Sequence, residues 1–325
     1  IYIIKGFIGL MGINLLIKCI CVEKYKLNIM DNRKWDMFVK HKEIRIMFIV
    51  AFAATAISIF CIWQNIDIIT TQIDYSNAKV PEGFNGYTIV QISDLHNKEF
   101  GQNQECLLKK IRTISPDIIV VTGDLIDRRK YDLDTAITFI NGAMKIAPVY
   151  YVSGNHEAWC SDYKNISQEL LNCGVQVLDD NKVKLIKDKS MIEILGLSDP
   201  DFLTSDYIER TNTSKLKDHL LRLSDDSVFQ ILLSHRPELF DLYANENIDL
   251  IFSGHAHGGQ FRLPFIGGLV APDQGLFPKY TSGFYTKSHS TLFVSRGLGN
   301  SIVPIRVFNR PEIVVVTLEN EKHVK

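Results

Sequence analysis

The sequence predicts an α/β fold, two packed β-sheets flanked by helices, carried on an N-terminal transmembrane helix. Three observations predict it. From Tyr87 onward, short Ile- and Val-rich runs stop abruptly at Asp, Asn, His or Gly, and a longer amphipathic segment usually follows, as when strands alternate with helices. Ten or so such strands exceed one comfortable open sheet, so two sheets face to face with helices outside, a four-layer α+β arrangement, accommodate them. Ahead of them, Ile46 to Trp63 run eighteen residues without a charge, enough to cross a bilayer.

Taken in order, residues 1–45 read as a cytoplasmic leader. Ile1 to Val22 are apolar but interrupted by Lys5, Asn14 and Lys18, and the chain opens on Ile with Met30 ahead of an ordinary leader. Residues 1–29 are therefore expected to be an upstream extension of the true start or an extra apolar span. Residues 46–63 are the predicted transmembrane helix; a cleaved signal peptide fits less well, because the stretch is long and ends in Phe60, Ile62 and Trp63, not in small residues. Arg33, Lys34, Lys40, Lys42 and Arg45 precede it and only Lys79 follows before Ile89, so the positive-inside rule leaves the leader in the cytoplasm. The expectation is a single-pass protein of the cytoplasmic membrane with residues 87–325 outside as one domain. Residues 64–86 read as a tether with one edge strand, broken by Pro81 and Gly83.

Within 87–325, Tyr87 to Ile92 ends in Ser93-Asp94-Leu95-His96, and Ile118 to Val121 in Thr122-Gly123-Asp124-Leu125-Ile126-Asp127. Val149 to Val152 ends in Ser153-Gly154-Asn155-His156-Glu157, Val228 to Leu233 in Ser234-His235-Arg236, and Ile248 to Phe252 in Ser253-Gly254-His255-Ala256-His257. Helices are expected over Asn103–Ile114, Asp132–Lys145, Asp162–Leu171, Asp206–Leu223 and Pro237–Ala244, where apolar residues recur every three or four positions. Val175–Leu178, Val183–Ile186, Met191–Leu195, Thr291–Val294 and Glu312–Leu318 supply the remaining strands. Open α/β sheets bind ligands beyond the carboxyl ends of their strands, which is where all five polar clusters would gather.

Composition narrows the chemistry. A net charge of -1 lends no electrostatic support to a nucleic-acid partner, so none is expected, and no obligate protein partner is predicted. The six cysteines show no Cys-x-x-Cys pair; Cys160 and Cys173 could bridge, though separate thiols fit better. Of nine histidines, His96, His156, His235, His255 and His257 sit at strand ends beside Asp94, Asp124 and Asn155. Carboxylate, imidazole and amide oxygen without thiolate suit Mn²⁺, Fe or Zn²⁺, with Mn²⁺ favoured. The donors are too many for one ion, and two divalent metal ions about 3.5 to 4 Å apart are the arrangement used for in-line phosphoryl displacement.

In this order and spacing, Asp94-x-His96, Gly123-Asp124-x-x-Asp127, Gly154-Asn155-His156-Glu157, His235 and Gly254-His255-x-His257 resemble the calcineurin-like metallophosphoesterases over about residues 87–260. Gly258-Gly259-Gln260, Leu263-Pro264, Ser295-Arg296-Gly297-Leu298-Gly299, Pro304-Ile305-Arg306 and Pro311-Glu312 extend the resemblance to that family's membrane-anchored bacterial phosphodiesterase branch. The resemblance implies a metallo-dependent phosphatase-like fold. It further implies a dinuclear metal-dependent phosphoesterase that cleaves phosphomonoesters or phosphodiesters by in-line attack of a metal-bridging hydroxide. Carried over by residue, it implies that Asp94, His96, Asp124 and His257 hold one metal and Asp124, Asn155, His235 and His255 the other. His156 would contact the phosphate and protonate the leaving group, with Asp127 orienting its ring; the bland alternative for Asp127 is a helix N-cap. Asn97 departs from the apolar residue that many relatives carry after this first motif.

The anchor motivates a membrane-proximal or lipid-linked phosphoester substrate. The rival readings are a non-enzymatic metal-binding surface protein and a nuclease of the same family. His41, His219, His289 and His323 lie in polar or helical settings and read as surface residues, and Arg236, Arg262, Arg296 and Arg306 as structural or surface pairs able to hold phosphate. The loop Phe261 to Phe277, rich in Phe, Leu and Ile, reads either as core under a long loop or as an apolar lip facing the bilayer.

Overall fold

The structure, a computed structural model, describes residues 32–203, 213–300 and 303–323. The expected upstream extension or second span in residues 1–29, and the first part of the expected helix Asp206–Leu223, lie outside the described residues. The apolar runs of residues 69–320 fold into two six-stranded sheets. β1 (Ile69–Asn77), β2 (Tyr87–Ile92), β3 (Ile118–Thr122), β4 (Val149–Val152) and β5 (Gln176–Val177) belong to the first. β6 (Asn181–Lys187), β7 (Ser190–Gly196), β8 (Phe229–Leu233) and β9 (Leu250–Ser253) belong to the second. Two small hairpins follow, β10 (Arg262–Leu263) with β11 (Gly267–Gly268) and β12 (Val270–Ala271) with β13 (Gly275–Leu276). β14 (Gly283–Lys287) and β15 (Ser290–Val294) complete the second sheet, and β16 (Glu312–Asn320) returns to the first between β1 and β2.

The strands from β2 to β5 run parallel, as do β7, β8, β9 and β15, so their carboxyl ends share an edge within each sheet. Alternate residues of each strand point to opposite faces, and both faces are covered, which is why these runs are apolar throughout. Ile89, Val120, Ile194, Phe229, Ile231 and Phe252 pack between the sheets. Val90, Ile92 and Val121 face outward onto Leu107, Phe139, Ile140 and Leu170 of the helices Glu105–Ile114, Leu133–Ala143 and Tyr163–Asn172. On the far side, Leu195, Leu232 and Ile251 meet Leu216, Phe240 and Tyr243 from Thr213–Leu223 and Phe240–Asn245. The layers are therefore helix, sheet, sheet, helix, and truncating a central ring such as Phe252 to Ala would cost about 3–5 kcal/mol.

The chain divides into two units, residues 1–59 and 60–325. The helix through the charge-free run extends over Asn32–Ile66, further in both directions than the run itself, since no Gly or Pro interrupts residues 32–66. It is the one helix among the described residues long and apolar enough to cross a membrane, over Val39–Ile66. Only Asp67 and Ile68 separate its end from β1, and the expected edge strand within residues 64–86 is β1, 9 residues long and paired in parallel with β16.

Two other expectations resolve. Cys160 and Cys173 are separate free thiols. The loop after the last histidine pair is not core: Leu263, Phe265, Ile266, Val270, Leu276 and Phe277 are exposed, because hairpins of two-residue strands have no second layer to bury them.

Candidate metal centre

The polar strand ends meet where the two sheets' carboxyl edges adjoin. Backbone bonds fix the meeting: Asp94 N–H donates to Gly123 O (3.1 Å), His96 N–H to Asp124 O (3.0 Å) and Gly254 N–H to His235 O (3.1 Å). Two glycines allow the approach. A Cβ on Gly254 would fall 1.9 Å from Ser93 Oγ and 2.5 Å from Asp94 Oδ2, and one on Gly154 would fall 2.3 Å from Asp124 Oδ1.

Asp94, His96, Asp124 and His257, all buried, bring one donor atom each to within 4.8 Å of one another. His96 Nε2 lies 3.1 Å from His257 Nε2 and 3.4 Å from Asp124 Oδ2. His257 Nε2 lies 3.4 Å from Asp94 Oδ1. A second group adjoins it: His235 Nε2 is 3.1 Å from Asn155 Oδ1, 3.2 Å from His255 Nδ1 and 3.4 Å from the same Asp124 Oδ2. One carboxylate oxygen thus stands equidistant from the inward nitrogens of both groups.

These residues fit divalent cations on their own chemistry. Asp94 Oδ2 is buried with no hydrogen-bond partner, and converging imidazole nitrogens 3.1 to 3.2 Å apart place lone pairs toward shared points. His235 Nδ1 lies 2.7 Å from Thr122 O, a donation to that carbonyl that turns Nε2 inward, and His255 Nε2 donates to Asp273 Oδ2 at 2.9 Å, which frees Nδ1. Burial presses the pKa of His96 down to about 3 and that of His255 to about 4, and holds His257 well below the ordinary imidazole range, so all three rings are neutral. Burial, against the pull of His235, raises Asp94 to about 6. Burial also acts upward on Asp124, but the surrounding imidazoles, His235 first, hold it well below the usual carboxylate range. His235 is the counterpart: burial acts downward, yet Asp124 lifts it to about 10.

Five of these residues hold left-handed backbone, Asp94, His96, Asp124, His255 and His257, with φ between 46° and 64°. Each such residue costs roughly 1–3 kcal/mol and is kept only where the surroundings over-determine it.

His156 packs edge-on to His96, ring centroids 4.4 Å apart. Its Nδ1 accepts from Arg128 N–H (3.3 Å) and lies 3.4 Å from Asp127 Oδ1. Asp127 Oδ1 accepts from Arg129 N–H (2.9 Å) and Nε–H (3.0 Å), and Oδ2 accepts from Nη2 (2.7 Å). Asp127 caps the short turn Arg128–Lys130, the bland alternative, while its Oδ1 also lies 3.4 Å from the ring.

Two contributors, Glu157 and Asp273, escaped the motif reading, and Arg236 takes the structural pairing expected of it. Glu157 is fully buried and accepts from the N–H groups of Asp124 (2.8 Å), Gly154 (2.8 Å) and Ile126 (3.1 Å), locking two ligand loops together. Its motif position was visible, but its role follows only from the fold. Asp273, 18 residues beyond His255 in an apolar loop, gave no signal. Arg236, 2% exposed, grips Asp199 through Nε (2.7 Å) and Nη2 (3.0 Å) and Asp201 through Nη2 (2.7 Å), and its Nη1 pairs with Asp273. Glu238, His255 and Asp273 could by composition hold a further cation, but that guanidinium fills the place, with Nη1 3.2 Å from His255 Nε2 and 3.7 Å from Glu238 Oε1. Arg236 is therefore a structural clamp and not a substrate contact.

Comparison with known proteins agrees with this geometry. The calcineurin-like phosphoesterase family matches residues 87–259. The metallophosphoesterase YkuE of Bacillus subtilis is 33% identical over 77% of this chain and 85% of its own length. The metallophosphoesterase Cj0846 of Campylobacter jejuni is 30% identical over 82% of this chain and 68% of its own. A Bos taurus transmembrane protein with metallophosphoesterase domain is 28% identical over 77% of this chain and 56% of its own length.

Proposed function

The chain belongs to the calcineurin-like phosphoesterases, metal-dependent phosphoester hydrolases, and from that premise we propose a dinuclear enzyme acting on a membrane-proximal or lipid-linked phosphomonoester or phosphodiester. One observation carries the two-ion reading: Asp124 Oδ2 lies 3.4 Å from both His96 Nε2 and His235 Nε2. Asp94, His96, Asp124 and His257 would hold one ion, and Asp124, Asn155, His235 and His255 the other. Bound divalent ions, Mn²⁺ favoured among Mn²⁺, Fe and Zn²⁺, supply charge neutralisation and a water whose pKa falls to roughly 7–9.

The chain's own residues do the rest. The Asn155 amide oxygen binds without adding negative charge, which leaves the site able to accept an anionic ester. To act as general acid His156 must be imidazolium, its Nδ1–H turned to Asp127 Oδ1 at 3.4 Å and its Nε2–H given to the leaving oxygen, which returns the ring to the neutral Nδ1–H form. Asp127 keeps the ring's charged form close to a carboxylate while its grip on Arg129 fixes the loop. With the basic leader on the cytoplasmic side, the site lies outside the membrane.

The full chain in detergent micelles, stripped with chelator and titrated with Mn²⁺, should hydrolyse chromogenic monoesters or diesters. Asn155→Ala should lower that turnover by about 100-fold or more, in the range that loss of a positioned electrostatic group produces. Absence of metal-dependent turnover, or turnover indifferent to Asn155→Ala, would refute the proposal and favour a binding protein.

A further inference from the structure

We propose that the two hairpins beside the metal centre, together with Phe308, form an apolar lip that inserts into the lipid interface of the membrane. The inference goes beyond the phosphoester reading and can fail or hold without any turnover. Single exposed apolar side chains are ordinary; here Leu263, Phe265, Ile266, Leu276, Phe277 and Phe308 are exposed on one connected structure, with Phe265 at 109% and Phe277 at 70%. Phe265 also holds left-handed backbone, φ 69°, an unfavourable state for an aromatic residue at a wholly exposed tip.

Side-chain contacts join Phe308 and Arg310 to the end of the apolar helix. The Phe308 ring packs edge-on against Phe60, centroids 5.3 Å apart. Three residues further along that helix, the Arg310 guanidinium lies over Trp63 at 5.1 Å and pairs with Asp67. Trp with Arg is the combination that settles at a bilayer's polar interface. At 1.5 Å per residue, Phe60 lies about 4.5 Å beyond Trp63 toward the uncharged run, so the ring against it is placed at hydrocarbon level.

Val307 carries the connection onward: Arg262 N–H donates to Val307 O (3.0 Å), and Phe261 bridges Val307 in parallel. Leu269 N–H donates to Phe261 O and Phe277 N–H to Leu269 O, both at 2.9 Å, which ties the second hairpin to the first. Both charged residues of the loop are engaged by the protein. Arg262 Nη1 donates to Gly258 O (2.8 Å) and Thr281 Oγ1 (3.2 Å), and Asp273 pairs with Arg236 and His255. The occupant that fits is therefore lipid, continuous with the bilayer that receives the helix.

The test places an environment-sensitive fluorescent residue, by codon suppression, at position 265, at position 277 or, as reference, at position 171, where Leu171 is exposed on the helix Tyr163–Asn172. The full chain is reconstituted in phosphatidylcholine–phosphatidylglycerol vesicles with or without brominated lipid, and folding is checked by circular dichroism. Emission at 265 and 277 should be blue-shifted and quenched at least twofold by brominated lipid, with position 171 unaffected. Water-like emission at both lip positions overturns the proposal. So does a blue shift that brominated lipid does not quench, which would mean a second copy or another protein covers the lip.

Discussion

Replacing Asp124 by Asn removes one charge from the centre while keeping the side chain's shape. Its Oδ2 sits 3.4 Å from His235 Nε2. At an effective dielectric of about 20, unit charges at that separation attract by about 5 kcal/mol, or about 3.5 pKa units. His235 stands at about 10 because Asp124 outweighs burial. In Asp124→Asn it should titrate at about 6 to 7, since the loss of about 3.5 units returns it to the ordinary imidazole range. The assay is the ¹⁵N shift of the His235 ring in metal-free protein followed from pH 5 to pH 11. A wild-type midpoint near that of an ordinary histidine, or one that the substitution leaves in place, would refute the electrostatic account.

Three further outcomes follow from the same geometry. Because His235 is protonated below about 10 and Asp94 ionised above about 6, Mn²⁺ binding at pH 7.5 should release about one proton, with apparent affinity rising about tenfold per pH unit toward 10 and falling more steeply below 6; calorimetry in two buffers of different ionisation enthalpy reads this, and a buffer-independent heat contradicts it. Glu157→Gln turns an amide donor toward backbone donors and should cost about 2–4 kcal/mol in urea unfolding, against a null of under about 0.5 kcal/mol. Gly154→Ala drives a methyl to 2.3 Å from Asp124 Oδ1 and should weaken Mn²⁺ binding about 10- to 100-fold while the protein stays folded, a result checked by metal content after dialysis.

The alternation of apolar runs with polar stops was enough to read β2 and β4 to the residue, because strands buried on both faces leave no ambiguity of period. The same stops carried the seven candidate ligands, since parallel strands deliver their ends to one edge. What stayed hidden depends on contacts distant in sequence. No local pattern announces that Asp273 would steer His255, or that Asp199 and Asp201 would fix Arg236 beneath it. The left-handed backbone at five candidate ligands is likewise invisible, because Asp and His carry no glycine-like signal for it. The composition of the loop Phe261 to Phe277 suits core and exposed lip alike. The hairpins are too short to supply a covering layer, and the residues stayed outside.

Two residues, Asp67 and Ile68, lie between the end of the apolar helix and the first strand of the sheet. At about 3.3–3.6 Å per extended residue they give no more than about 7 Å of slack. That short link holds β1, and with it the first sheet, close to the end of the helix. Were the helix to span a bilayer as proposed, substrates held in that membrane would be met by diffusion in two dimensions along its plane.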